Sequence, residues 1–273
     1  MPTFHFISGL PRSGSTLLAG ILKQNPAIFA AMSSPVAGLM NASLELMGAG
    51  GEFYSFFNQD KRLSMCKALF NAYYQEHTNK AVIFDTNRIW TARMHQLNEL
   101  YPQSKMICCV RNPAWVVDSF ESIYRKKPFD YSKLYNPQSR QTVYSRTEAM
   151  MSMNGVVGSA WTALKEAYYG EFSDKLLLVD YDILTQYPKR TLSFIYDFLE
   201  HPQYDHDFQN VVYEENEFDL NLGVKDLHTV KRSVEFKPRR TVLPPELFQQ
   251  YSEMAFWLDN SATNASIIAK KEQ

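Results

Sequence analysis

Residues 6–18 read Phe-Ile-Ser-Gly-Leu-Pro-Arg-Ser-Gly-Ser-Thr-Leu-Leu, and this stretch narrows the possible folds more than any other in the chain. An apolar run, a turn rich in Gly and Ser, and then a helical pattern describe a buried strand that feeds a helix through a tight loop. Gly9, Gly14 and Thr16 fit the phosphate-loop spacing G-x-x-x-x-G-K-[ST], except that Ser15 stands where that template has lysine. The nearest fixed cation is Arg12, inside the loop. In the template the lysine reaches the terminal phosphates of a triphosphate and the hydroxyl holds magnesium. A cation placed within the loop keeps an anion cradle but argues against a magnesium triphosphate, so the bound nucleotide ends in something other than a γ-phosphate.

The cradle has a backbone origin. A helix N-terminus presents unpaired N–H groups and a partial positive charge. Gly9 and Gly14 permit backbone conformations closed to other residues, Ser13, Ser15 and Thr16 add hydroxyl donors, and Arg12 offers a two-pronged fork to phosphate or sulfate oxygens. The lesser alternative is a turn that needs Gly and Ser for geometry alone. A cysteine-phosphatase loop is excluded, because no cysteine lies in or near this segment.

Further along, short apolar strands alternate with helical patterns. Strands are expected at 3–8, 81–85, 105–110 and 175–179, and helices at 15–24, 60–77, 89–101, 113–125, 147–170 and 188–199, with a last helix from Pro244-Pro245. Residues 27–51 read as a loop with a helix inside. This alternation predicts an α/β fold, a single phosphate-loop-like domain over 1–273 with a central parallel sheet covered by helices on both faces. Residues 126–146, polar and aromatic, read as an inserted loop or lid. Residues 203–245 read as an irregular segment carrying the cations Lys225, Lys231, Arg232, Lys237, Arg239 and Arg240.

Composition excludes several classes. A net charge of −1 leaves no general polyanion-binding surface and argues against a nucleic-acid role. No run approaches the ~18 apolar residues of a membrane span. Cys66, Cys108 and Cys109 make no disulfide framework, and the last two sit in an apolar run as core residues of a reducing compartment. With no basic-then-apolar leader at the N-terminus, the expected location is cytoplasmic. An aromatic share of 14% fits either a bulky core or a pocket for a flat, apolar ligand.

A second anion point is Val110-Arg111-Asn112-Pro113 followed by Ser119. Arg111 leaves the C-terminal end of a buried strand, where ligands bind in open α/β sheets. Ser119 lies two turns into the next helix, so both side chains can reach one anion. The alternative is a surface arginine and an ordinary helix serine.

Together the two points resemble the PAPS-dependent sulfotransferases, PAPS being 3′-phosphoadenosine-5′-phosphosulfate. Pro11-Arg-Ser-Gly-Ser-Thr16 resembles that family's 5′-phosphosulfate loop, most closely in its protein-tyrosine and bacterial branches. Arg111 with Ser119 resembles its 3′-phosphate motif. Val179-Asp-Tyr181-Asp-Ile-Leu and the helix from Pro188 are similar to the segment that lies near the adenine. The likeness runs from residue 3 to about 200 and returns weakly at 225–245.

The resemblance implies a sulfuryl donor that needs no metal. Pro11, Arg12, Ser13, Gly14, Ser15, Thr16 and Leu17 would hold its 5′ end, Arg111 and Ser119 its 3′-phosphate, Tyr181 the adenine side, and Thr229, Lys237 and Arg239 would close over it. Arg12 and Thr16 would stabilise the charge that develops on the leaving phosphate, and PAP would be the product. Lys225…Thr229-Val230…Glu235 nearly matches a dimerisation motif of the family, with the Glu one place late, so a homodimer is only weakly implied.

Transfer to a hydroxyl needs a base. The stretch Phe29–Pro35 holds neither His nor Glu, unlike the protein-tyrosine branch. Asp85, at the end of a strand on the same sheet edge, is the expected replacement, with capping of a helix near Arg88 as its competing role. Glu45 and His228 are weaker choices, and His95 reads as a helix-face residue without a catalytic part. The acceptor is a small-molecule or peptide hydroxyl, with an aromatic or apolar alcohol suggested by Tyr124–Tyr144 and by the Met-rich stretch 32–47. Two other functions stay open at this point: a small-molecule kinase or NTPase, and a nucleotide-binding protein without catalysis.

Overall fold

The computed structural model describes residues 2–126, 139–222 and 228–269. Six parallel strands form the central sheet in the order β2-β3-β1-β4-β5-β8. They are β1 (Thr3–Gly9), β2 (Ile28–Ala30), β3 (Val82–Thr86), β4 (Met106–Val110), β5 (Leu176–Asp180) and β8 (Ser266–Ile268). The connecting helices are α1 (Ser15–Leu22), α2 (Val36–Met47), α3 (Gln59–Tyr73), α4 (Met94–Leu100), α5 (Pro113–Lys126), α6 (Val143–Met151), α7 (Gly158–Tyr169), α8 (Tyr181–Gln186) and α9 (Pro188–Leu199). A two-stranded antiparallel ribbon, β6 (Val211–Tyr213) with β7 (Val230–Arg232), flanks α10 (Asn216–Leu222), and α11 (Pro245–Ser252) precedes β8.

Strand periodicity explains why both faces are covered. Successive side chains point to opposite sides of a strand. Phe4 and Phe6 of β1, Met106, Cys108 and Val110 of β4, and Leu176 and Leu178 of β5 enter one core with α3, α5 and α7. Ile7, Ile107, Cys109, Leu177 and Val179 enter the other, with α1 and α9. Both faces are thus apolar, as a parallel sheet between two helical layers requires. Cys108 and Cys109 lie one in each core, both fully buried.

The chain adds β2 and β3 on one side of β1 and then crosses to β4 on its other side. The gap between β1 and β4 is therefore the topological switch point, and the loops leaving their C-terminal ends carry Arg12 and Arg111.

Four expectations need correction. The helix expected over 147–170 is two helices, α6 and α7. A Cβ on Gly155 would lie 2.3 Å from the Ala149 carbonyl oxygen, and one on Gly158 2.1 Å from that of Ser152, so these glycines let the chain fold back on the end of α6. The segment 203–245 is not wholly irregular. It contains the β6–β7 ribbon and α10, and the ribbon packs on α1, where Gly20 leaves room for Val211 and Tyr213. The strand at 266–268 was not expected. Of the lid, 127–138 lies outside the described residues, and Val143–Arg146 opens α6 behind a Thr142 capping box. Among the described residues no helix is long and apolar enough to cross a membrane.

Candidate active site

A cavity of about 620 Å³ opens above the β1–β4 switch point. Its floor is the loop from Gly9 to Thr16. Gly9 has φ 107, and a Cβ there would lie 2.2 Å from the Cys109 carbonyl oxygen, so the loop leaves the sheet pressed against β4. Arg12 has φ 58, an uncommon conformation for a residue with a side chain. Gly14, at φ 95, caps α1 without any side-chain hydrogen bond, which leaves the first N–H groups of the helix without a side-chain cap. Pro11, Arg12, Gly14, Ser15, Thr16 and Leu17 all line the space. Ser13 does not. Its side chain is 1% exposed, and its hydroxyl lies against the carbonyl oxygens of Leu10 and Cys109, the latter at 2.8 Å. It braces the loop from beneath and offers the cavity no hydroxyl.

Arg111 and Ser119 line the same cavity, and their side chains have different partners. Ser119 Oγ accepts from Arg12 Nε at 3.3 Å, which ties the first loop to α5. The Arg111 guanidinium instead stacks 4.4 Å above the Tyr181 ring and faces Asp182 at 3.6 Å. Its buried Nε has no hydrogen-bond partner among the described residues. Tyr181 bridges the first loop and Arg111, because the same ring lies where a Cβ on Gly14 would stand, 2.7 Å away. Asp180 caps α8 by accepting from Asp182 N and Ile183 N. Burial, then the charge of Asp182, pushes its carboxyl up to about 6.

On the far side, Thr229, Lys237 and Arg239 also line the cavity. Thr229 Oγ1 is buried without a partner among the described residues. Arg239 lies 2.5 Å from the buried Asp118 and 5.0 Å above the Trp115 ring, while Lys237 pairs with Glu235 at 2.6 Å. Lys225 lies outside the described residues.

The arginines weaken one another. Burial lowers the Arg12 pKa, and Arg111 and Arg239 add to that, against Tyr181 and Asp219. Burial also lowers that of Arg111; Asp182 opposes this and Arg239 adds to it. The guanidinium groups of Arg12, Arg88, Arg111 and Arg239 around one cavity set up a field that a polyanion would relieve.

Asp85 is not placed as expected. It is 0% exposed and does not line the cavity. Ser34 Oγ and Tyr74 OH donate to its Oδ2 at 2.7 and 2.8 Å, and Trp90 Nε1 donates to Oδ1 at 2.8 Å. Burial raises its pKa against these three bonds. With both oxygens engaged, it clamps β3 to the segment before α2 and cannot reach an acceptor. Nor is it a cap: Asn87 accepts from Ile89 N at the turn of helix that begins at Arg88. Glu45 is exposed away from the cavity, and His95 pairs with Glu171 on the surface. Met32, at the start of the Met-rich stretch, lines the cavity, as do Ser33, Asn87 and Arg88, which were not expected there. Asn87 carried a usable signal, as a capping residue directly after a strand.

A family model described as "Sulfotransferase family" matches residues 5–206, a span that holds both anion points. The fold agrees. The sulfotransferase domain from the curacin biosynthetic pathway superposes with a TM-score of 0.58 at 17% identity, covering 93% of this chain and 97% of that one. The sulfotransferase STF9 from Mycobacterium avium gives 0.52 at 13% identity, covering 97% and 78%. A curated relative, the nodulation protein NoeE of Sinorhizobium fredii, is 31% identical over 140 residues, 45% of this chain. The chain spans about a third of that relative's length, 32%. An α/β protein with a glycine-turned, arginine-bearing loop at its switch point is the class defined here, and this chain belongs to the sulfotransferase family.

Proposed function

We propose that the protein transfers the sulfuryl group of PAPS to a hydroxyl of an aromatic or apolar acceptor and releases PAP. The observation that carries this is the spacing of the cations. Arg12 sits at the N-terminus of α1 and Arg111 beyond β4, with Tyr181 between them. This suits a nucleotide with anionic groups at both its 5′ and 3′ ends. Arg111 Nε, which faces Asp182 without a hydrogen bond, and Thr229 Oγ1 are buried polar atoms of the kind that ligand oxygens satisfy. In this reading the α1 N–H groups, Thr16 and Arg12 receive the 5′ phosphosulfate and stabilise the charge that grows on the bridging oxygen as its bond to sulfur breaks. Arg111 takes the 3′-phosphate, and Lys237 and Arg239 cover it.

A kinase reading is not favoured, since Ser15 replaces the lysine that such a loop needs and the family match points elsewhere. Calorimetry in EDTA tests the proposal. PAP is expected to bind at least about 100-fold more tightly than ADP or ATP, since a bidentate arginine–phosphate contact in a partly buried site is worth several kcal/mol. Equal affinities, or binding that requires magnesium, would overturn it.

A further inference from the structure

We infer that His228, held by Asp219, is the general base that takes the proton from the acceptor hydroxyl. This inference rests on the sulfuryl-transfer reading above. A base must stand at the cavity, and the lining residues narrow the choice. His228 and Glu235 are the candidate bases among them, and Glu235 is engaged by Lys237. Of the six histidines, His228 alone lines the cavity.

The geometry is that of an oriented base. Asp219 lies on α10 with its side chain 1% exposed. Its Oδ2 accepts from the backbone N of His228 at 2.8 Å, and its Oδ1 lies 2.6 Å from Nδ1. The Phe218 ring meets the imidazole edge to face, centroids 5.5 Å apart, and fixes the plane of the ring. A carboxylate on Nδ1 keeps the proton there and leaves the lone pair on Nε2. Nε2 has no partner among the described residues. His228 and Phe218 line the same cavity as Arg12 and Thr16.

The step balances. A lone pair of the acceptor oxygen forms the new O–S bond while the bond from sulfur to the bridging phosphate oxygen breaks, its electron pair leaving with PAP. His228 Nε2 takes the hydroxyl proton and later releases it to water. Asp219 is a positioning residue that stabilises the imidazolium so formed.

The test uses the full chain, radiolabelled PAPS, and 2-naphthol as probe acceptor, with hydrolysis of PAPS by water followed in parallel. For His228→Ala the PAP affinity is expected to stay within about threefold of wild type while turnover falls at least about 100-fold, the range for loss of a general base. Added imidazole is expected to restore part of that turnover. Asp219→Asn is expected to lose about tenfold without imidazole rescue. Turnover of His228→Ala within threefold of wild type would overturn the inference. So would a loss of turnover matched by an equal loss of PAP affinity and insensitive to imidazole, which would make the pair a structural pin for β7. A wild type that binds PAP yet neither sulfates naphthol nor accelerates PAPS hydrolysis would also count against it. A wild type with no preference for PAP over ADP removes the parent reading, and the inference with it.

Discussion

The two ends of the cavity are built in opposite ways. The loop from Gly9 to Thr16 is fixed by local geometry: two glycines and Arg12 at positive φ, and the Ser13 hydroxyl set against two carbonyls. The segment that faces it, 235–241, is exposed and is held by side chains far away in sequence. Arg239 pairs with Asp118, whose other oxygen accepts from Thr241 Oγ1 and Val242 N at 2.8 and 2.7 Å. One end is preorganised and the other is pinned at a single buried carboxylate. Substitutions at the first should therefore damage the fold, and those at the second mainly ligand binding.

The sharpest way to break this contrast is Gly9→Ala. The added methyl would meet backbone atoms of Cys109 that cannot give way, so a loss of more than about 3 kcal/mol in urea unfolding is expected. A small loss would mean that the loop is not fixed by its backbone.

A pH experiment separates the two ends of β1 itself. His5 Nδ1 accepts from Lys105 N at 3.0 Å, and burial, then the charges of Lys105 and His201, holds its pKa down to about 4. The folded state therefore prefers neutral His5. Its contribution is complete above about pH 6.5, the ordinary value, and is lost as pH falls from there toward about 4, up to about 3 kcal/mol in all. His5→Gln keeps an acceptor but cannot titrate, so its urea midpoint should vary less between pH 7 and 4.5 than that of wild type. An unchanged acid dependence would place the titrating group elsewhere.

Asp118→Ala should cost about 2 kcal/mol by freeing Thr241, Val242 and Arg239 together, and should also weaken PAP binding. Smallest is Arg239→Ala, for which about a tenfold loss of PAP affinity and a stability loss below that of Asp118→Ala are expected, since Asp118 keeps its bonds from Thr241 and Val242. A large stability loss there would erase the distinction between the two ends.

The same contrast explains what the sequence disclosed. The β1–α1 loop was legible because its glycines, hydroxyls and flanking periodicity are local consequences of one backbone path. Arg111 was legible from its place after a buried apolar strand, and the helix from Pro188 to Leu199 from its proline start and apolar stripe. Contacts between distant segments were not. Ser119 faces Arg12, 107 positions away, rather than Arg111. Asp85 stands at a strand end that suits a base, and only the packing of Ser34, Tyr74 and Trp90 around it shows that its oxygens are taken. The short strand Ser266–Ile268 has too little periodicity to read, and its place is set by pairing with β5.

The assignment of a 3′-phosphate to Arg111 is open to a cycle that removes the residue and the phosphate in turn. PAP and AMP, which differ only in the 3′-phosphate, would each be titrated into wild type and into Arg111→Ala in EDTA. The substitution is expected to weaken PAP by about 100-fold and AMP by less than about threefold, a coupling of about 2 kcal/mol or more between the guanidinium and the 3′-phosphate. Equal losses for both ligands would contradict it and leave Arg111 as a stacking partner of Tyr181 alone.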